Sequence, residues 1–574
     1  MTLPIIAFLL ALLAQTPKGS IEGTVLDSVT QKPIAGAQIT LMQTQIPAGS
    51  TGFIEGVLSS GPDRRPQTQT GTTDSDGRFR FSDVEPGTYM VQAMADGFAR
   101  QQIGGLPGGQ SGMTARATVE AGGTSRNIVL HLMPAATVSG RIAGANGAPL
   151  VGMEVMLLRA NYSIGGEMNL SPMGSAQTDD RGQYRLFWMP PGRYYLVASA
   201  PNRPMGSINP IMPSPRTNRY PQTFYPGTTS LQDATIIDLQ PRAELSGMDF
   251  ELSALPLYTV RGRIMDSATG APPKSASMSI TPREQYFGGT SSSTGPYDPA
   301  TGTFELRDVL PGAYWIRAQL MGQPPTPGTS LRERQVMPSA AASVEVRGSN
   351  VDDVVLVIVP AVSIQGRAVI EGDVSRDRPI SVALQPTSMR FGPPGGSATV
   401  QPDGSFRIDN MGPGEYRFSL PGLFMTPPGA NLPSQPYLKQ ARLGSIDLLN
   451  EKLTISGPVS DEIQIVLSAK SGQISGTVTD DRQQPASAVA VILLPANRER
   501  LDLYRMATTG PKGEYILQGL APGSYKVAAV QSSDMSSVFD PTTIKTLESR
   551  AQTITASELS KATVDLKVIS VTPR

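Results

Sequence analysis

A chain of 574 residues with 58 Gly, 51 Pro and only 17% charged residues suits short strands joined by turns, since Gly and Pro are both costly inside helices. Its 48 basic residues are balanced by 48 acidic ones, which leaves no electrostatic drive toward nucleic acid. With no Cys and a single His, the sequence excludes disulfides, thiolate and paired-imidazole metal centres, iron–sulfur ligation and a cysteine nucleophile.

The first element is an apolar run from Pro4 to Ala14. It has the length of a signal-peptide hydrophobic region and falls short of the roughly 20 residues that span a bilayer. It predicts a signal peptide over residues 1–14, export to the periplasm, cell surface or medium, and no membrane span after cleavage. The one departure is that Met1-Thr2-Leu3 brings no Lys or Arg.

Downstream, one pattern occurs five times: aromatic, x, apolar, two residues, apolar, x, Pro-Gly-x-Tyr. The copies read Phe79–Phe81–Val84–Pro86-Gly87–Tyr89, then Tyr184–Leu186–Met189–Pro191-Gly192–Tyr194. They continue as Phe304–Leu306–Val309–Pro311-Gly312–Tyr314, Phe406–Ile408–Met411–Pro413-Gly414–Tyr416 and Tyr515–Leu517–Leu520–Pro522-Gly523–Tyr525. Each follows a β-branched, x, Gly, x, apolar strand centred on Gly23, Gly140, Gly262, Gly366 or Gly476. These glycines lie roughly 110 residues apart, the length of a whole domain rather than a solenoid repeat. Alternating runs such as Ala37 to Leu41 predict half-buried strands. Pro-Gly predicts a type II turn, and the Tyr two residues on predicts a tyrosine corner tied to the turn backbone. A closing strand ends each repeat: Ile128 to Leu132, Phe250 to Leu252, Val354 to Ile358, Ile463 to Leu467 and Val564 to Val568. The fold expected is all-β, five tandem immunoglobulin-like (prealbumin-like) β-sandwich modules over residues 15–133, 134–254, 255–359, 360–468 and 469–574. Pro134, Pro256 and Pro360 sit at joints short enough to suggest a semi-rigid rod.

On these motifs the chain resembles the carboxypeptidase regulatory-like domain, related to CnaB-type and transthyretin-like modules with a carbohydrate-binding-like fold. Ala93 and Asp96-Gly97-Phe98 match the ending of that motif in the first repeat. Fibronectin type III, which also uses Pro-Gly with a following Tyr, is the competing fold. The resemblance implies a noncatalytic accessory module, with polysaccharide binding in some relatives of the wider fold. The Lys–Asn crosslink of some CnaB modules is not expected, because no first strand carries the Lys and Lys470 is unmatched in the other repeats.

Candidate chemistry is sparse. His131 alternates with the apolar residues of its strand and is expected to face solvent without a catalytic partner. Asp74-Ser-Asp76-Gly77 opens like a calcium loop, but Arg78 and Phe79 stand where a ligand and a Gly are required, so a hairpin turn is expected. Calcium at that turn alone stays open. Two long loops carry aromatics that could stack on sugars or peptides: Tyr220, Phe224 and Tyr225 in the second repeat, and Tyr286, Phe287 and Tyr297 in the third. The alternative is that these rings pin each loop to its own domain. The reading is a non-enzymatic exported binding or spacer protein without cofactor or metal, its partner an unknown protein or polysaccharide at the cell surface. Carbohydrate binding through the loops of modules 2 and 3 is its alternative.

Overall fold

The structure, a computed structural model, describes residues 17–43, 68–99, 114–200, 220–283, 295–320, 339–372, 379–387, 395–421, 425–426, 435–487, 489–531 and 538–570. Two compact units make up the chain. One comprises Met1–Ser139, Arg185–Arg193 and Ile237–Gly247; the other comprises Gly140–Tyr184, Tyr194–Ile236 and Met248–Arg574.

In the first unit, the first repeat shows the expected sandwich. Strand Gly19–Asp27 pairs antiparallel with Arg78–Val84 and parallel with Thr124–Leu132. A facing sheet runs Thr68–Thr72, Gln38–Gln43, Gly87–Met94, Thr114–Val119. Alternation turns Ile21, Val25, Ile39, Leu41, Phe79, Phe81, Tyr89, Val91, Leu130 and Leu132 into one buried cluster. Asp27 ends the first strand almost fully buried. Burial alone would raise its pKa, but the amides of Val29 and Thr30 and the Arg242 guanidinium, 2.6 Å away, hold it below the ordinary value.

The second unit uses the same wiring. Tyr258–Asp266 lies between Thr303–Val309 and the parallel strand Val351–Ile358. Val362–Glu371 lies between Ser405–Met411 and the parallel strand Ile463–Ser468. Phe250–Leu252 runs parallel to Ile142–Gly144, and Leu566 to Val478. The closing strands read from sequence are therefore the parallel partners of the first strands.

The strand glycine explains why this wiring recurs. Gly23, Gly262, Gly366 and Gly476 sit directly across from Phe79, Phe304, Phe406 and Tyr515, the aromatics that open the repeated pattern. A Cβ on Gly262 would lie 2.0 Å from the carbonyl oxygen of Val354 in the closing strand and 2.7 Å from the Phe304 ring. On Gly476 it would lie 1.9 Å from Val564 O, and on Gly140 2.2 Å from Met248 O. Only a residue without a side chain lets the first strand pass under the ring and against that carbonyl. Gly476→Ala is expected to cost about 2–4 kcal/mol by overpacking. Hydrogen exchange of the whole chain should then accelerate across residues 473–567 and stay unchanged in the first repeat.

The turn tyrosines behave as a corner. The hydroxyls of Tyr89, Tyr416 and Tyr525 each donate at 2.8 Å to the carbonyl four residues upstream, on Glu85, Gly412 and Ala521. Tyr194 also takes a hydrogen bond from Arg159. Burial pushes Tyr314, Tyr416 and Tyr525 up to about 12. A phenol whose folded pKa is raised stabilises the fold fully below its unfolded value of roughly 10, and that contribution is lost as pH climbs toward the folded value. Stability should therefore fall between about pH 10 and 12. In an ultraviolet absorbance titration of the folded chain, one set of tyrosines should ionise at the ordinary value and a later set only as structure is lost.

Two features depart from a plain string of modules. The fifth repeat carries a helix, Pro541–Arg550, started by the Asp540 carboxylate, which accepts from the amides of Thr542 and Thr543, and by Pro541 in the first turn. With Val538 and Phe539 this insertion packs on the outer side of strand Val489–Pro495, burying Ala490, Ile492 and Leu494. Tyr162 and Ile164, at the tip of the second repeat's Glu154–Tyr162/Met168–Gln177 hairpin, pack against the same cluster. Within the second unit the tip of that hairpin thus meets the fifth repeat.

Candidate functional site

Among the described loop aromatics, Phe224 turns inward and Tyr220, Tyr225 and Tyr297 are half-buried. Phe224 is 2% exposed, pairs with Val197 as a short extra strand and sits edge-on to Tyr195 at 6.5 Å. The strand pairing draws its loop onto the domain. Tyr225 is half-buried and packs edge-on to Phe250 at 5.8 Å, and Tyr220 is half-buried. Tyr297 is half-buried, its hydroxyl donating to Pro273 O at 2.6 Å. Tyr286 and Phe287 lie outside the described residues, as does the apolar N-terminal run.

The remaining candidates resolve into structure. Asp74 Oδ1 accepts from the amides of Asp76 (2.9 Å) and Arg78 (2.8 Å), and Asp179 treats Arg181 and Gln183 in the same way, so these carboxylates close turns. Among the described residues no group of three or more His, Asp or Glu is placed to hold a metal. His131 is half-buried and lies opposite Leu26. Lys470 is exposed, 3.9 Å from Glu558. Arg505, 2% exposed, donates to the carbonyls of Asp502, Tyr504 and Gly519 and so ties backbone together. A shallow depression in the fourth repeat is lined by Gln365, Arg367, Thr399, Gln401, Arg407 and Glu462, but its Arg407 is already paired with Asp409 at 2.5 Å.

The most unusual surface lies on strand Gln183–Met189. In every repeat the strand that precedes Pro-Gly alternates exposed and buried, then breaks step at the two residues before its last apolar position. The break is a residue of positive φ: Asp83 (60°), Trp188 (56°), Asp308 (59°), Asn410 (63°) and Gly519 (74°). Asp, Asn and Gly tolerate the left-handed region; a bulky side chain there carries about 1–2 kcal/mol of strain. The paired positions read Ser82-Asp83, Arg307-Asp308, Asp409-Asn410 and Gln518-Gly519, yet Phe187-Trp188 in the second repeat. The bulge leaves both rings on the surface, 47% and 40% exposed. Their centroids are 5.9 Å apart and their planes 44° to one another, and the Arg185 guanidinium lies 4.7 Å above the Phe187 ring. Sequence reasoning missed this pair, although aligning the five copies column by column would have exposed it.

No curated protein matches the chain. Among solved structures, it is similar to a minor pilin of Streptococcus agalactiae (15% identity, 42% of this chain and 97% of that one, TM-score 0.21). It is also similar to the shaft pilin of Lactobacillus rhamnosus GG (11%, 42% and 99%, TM-score 0.17) and to the major pilin subunit of Bacillus cereus (11%, 59% and 99%, TM-score 0.15). At such scores none of the three bears on what this chain assembles with or binds. The family model of the carboxypeptidase regulatory-like domain matches residues 20–131, 137–216 and 473–567. With half of its length matched, and the glycine, aromatic and tyrosine of the motif found where that motif packs, the chain belongs to the carboxypeptidase regulatory-like domain family.

Proposed function

We propose that this is a non-catalytic, exported binding and spacer protein: five sandwich modules over residues 15–133, 134–254, 255–359, 360–468 and 469–574 behind a signal peptide at 1–14. It acts in the periplasm, at the cell surface or outside the cell. One observation carries the reading. The side chains that recur in the repeats are taken up by cores and turns, as with Phe79, Tyr89, Phe406 and Tyr416, while the exposed residues differ from repeat to repeat. What is multiplied is scaffold, and a rigid scaffold presents function on its variable surface.

Carbohydrate recognition is the second reading. The exposed rings on the strand of the second repeat favour it, whereas Phe224 and Tyr225 serve as loop anchors. Cell fractionation with surface proteolysis tests the location: the chain should partition with the envelope or medium, and retention in the cytoplasm overturns export. A peptidase and glycosidase screen with the purified chain should show no turnover; turnover overturns the non-catalytic reading.

A further inference from the structure

We infer that Arg185, Phe187 and Trp188 form a saccharide platform, a site that takes the face of a pyranose ring in a polysaccharide. The inference deepens the second reading above and rests on it. Four of the five repeats fill the left-handed bulge position with Asp, Asn or Gly, so the fold itself asks for no ring there. The second repeat places Trp in that strained conformation and leaves it and Phe187 facing water. Strain together with exposed aromatic surface is the pattern expected where a ligand takes up the surface.

The chemistry selects the ligand. Two rings set side by side about one sugar unit apart offer faces for the axial C–H groups of a pyranose. The Arg185 guanidinium, 4.7 Å over the Phe187 ring, covers one face of that ring, and its N–H groups are the donors available to the hydroxyls of a sugar stacked on the pair. A protein partner fits less well. A stable protein interface buries on the order of 800 Å² per side, and here the apolar surface is two rings flanked on the strand by exposed Gln183 and Arg185. Trp188 also provides a reporter, because the only other tryptophan, Trp315, is half-buried under Arg283.

The test uses the full chain with insoluble cellulose, chitin and peptidoglycan and with the soluble hexasaccharides of each. Retention should be saturable, and in a Trp315→Phe background the fluorescence of Trp188 should shift on titration. Phe187→Ala and Trp188→Asn should weaken binding by about tenfold or more. Arg185→Ala should weaken it less. Trp188→Asn should also keep or raise Tm, since Asn accepts the left-handed backbone. The platform is overturned if no probe is retained, if both variants bind like the wild type, or if Trp188→Asn lowers Tm, which would make the ring a structural anchor. Loss of peptide-array binding rather than glycan binding in the variants would also overturn it. Turnover of a hexasaccharide with retention lost in the variants would sink the non-catalytic reading and leave the platform standing.

Discussion

Every repeat turns on one close approach. The first strand must pass beneath an aromatic ring while its other side meets a carbonyl of the closing strand, and at Gly262 and Gly476 the space left is too small for a methyl group. The glycine therefore couples three strands that are distant in sequence. It sets the register of the antiparallel partner through the ring and that of the parallel partner through the carbonyl. In repeats with Tyr in place of Phe, the hydroxyl adds a polar tie: Tyr184 donates to Met248 O and Tyr515 to Val564 O. The same contact is thus made by packing in some repeats and by packing plus a hydrogen bond in others.

With the interior so constrained, variation is left to positions where the backbone tolerates it. The bulge before Pro-Gly is such a position, because its left-handed residue points out of the ladder. In the fifth repeat that spot is enclosed: Gly519 lies against Gln435 and Arg505. In the first and third it carries exposed acids, and in the second it carries the aromatic pair. One backbone device serves as a joint in one module and as an open face in another.

The interior was legible in the sequence because local pattern and global packing coincide there. The strand glycines, the opening aromatics, the corner tyrosines and the closing strands were all readable from spacing, whereas the parallel pairing of those closing strands was not. Phe224 was not, since an aromatic in a long loop looks the same whether it is displayed or folded back, and only its pairing with Val197 decides. The helix Pro541–Arg550 was hidden by a composition poor in helix signals, although Asp540-Pro541 is a recognisable start. Trp188 was overlooked because it falls in the two positions of the pattern that vary freely.

The docking of Tyr162 and Ile164 against the fifth repeat bears on the order in which the chain folds. Each sandwich can close from strands within its own hundred or so residues, but this contact waits for a partner made some three hundred residues later. Until then the hairpin tip carries its apolar pair uncovered, beyond the reach of its own core. A contact of that sequence separation costs more loop-closure entropy than those within a sandwich, so late formation is expected of it.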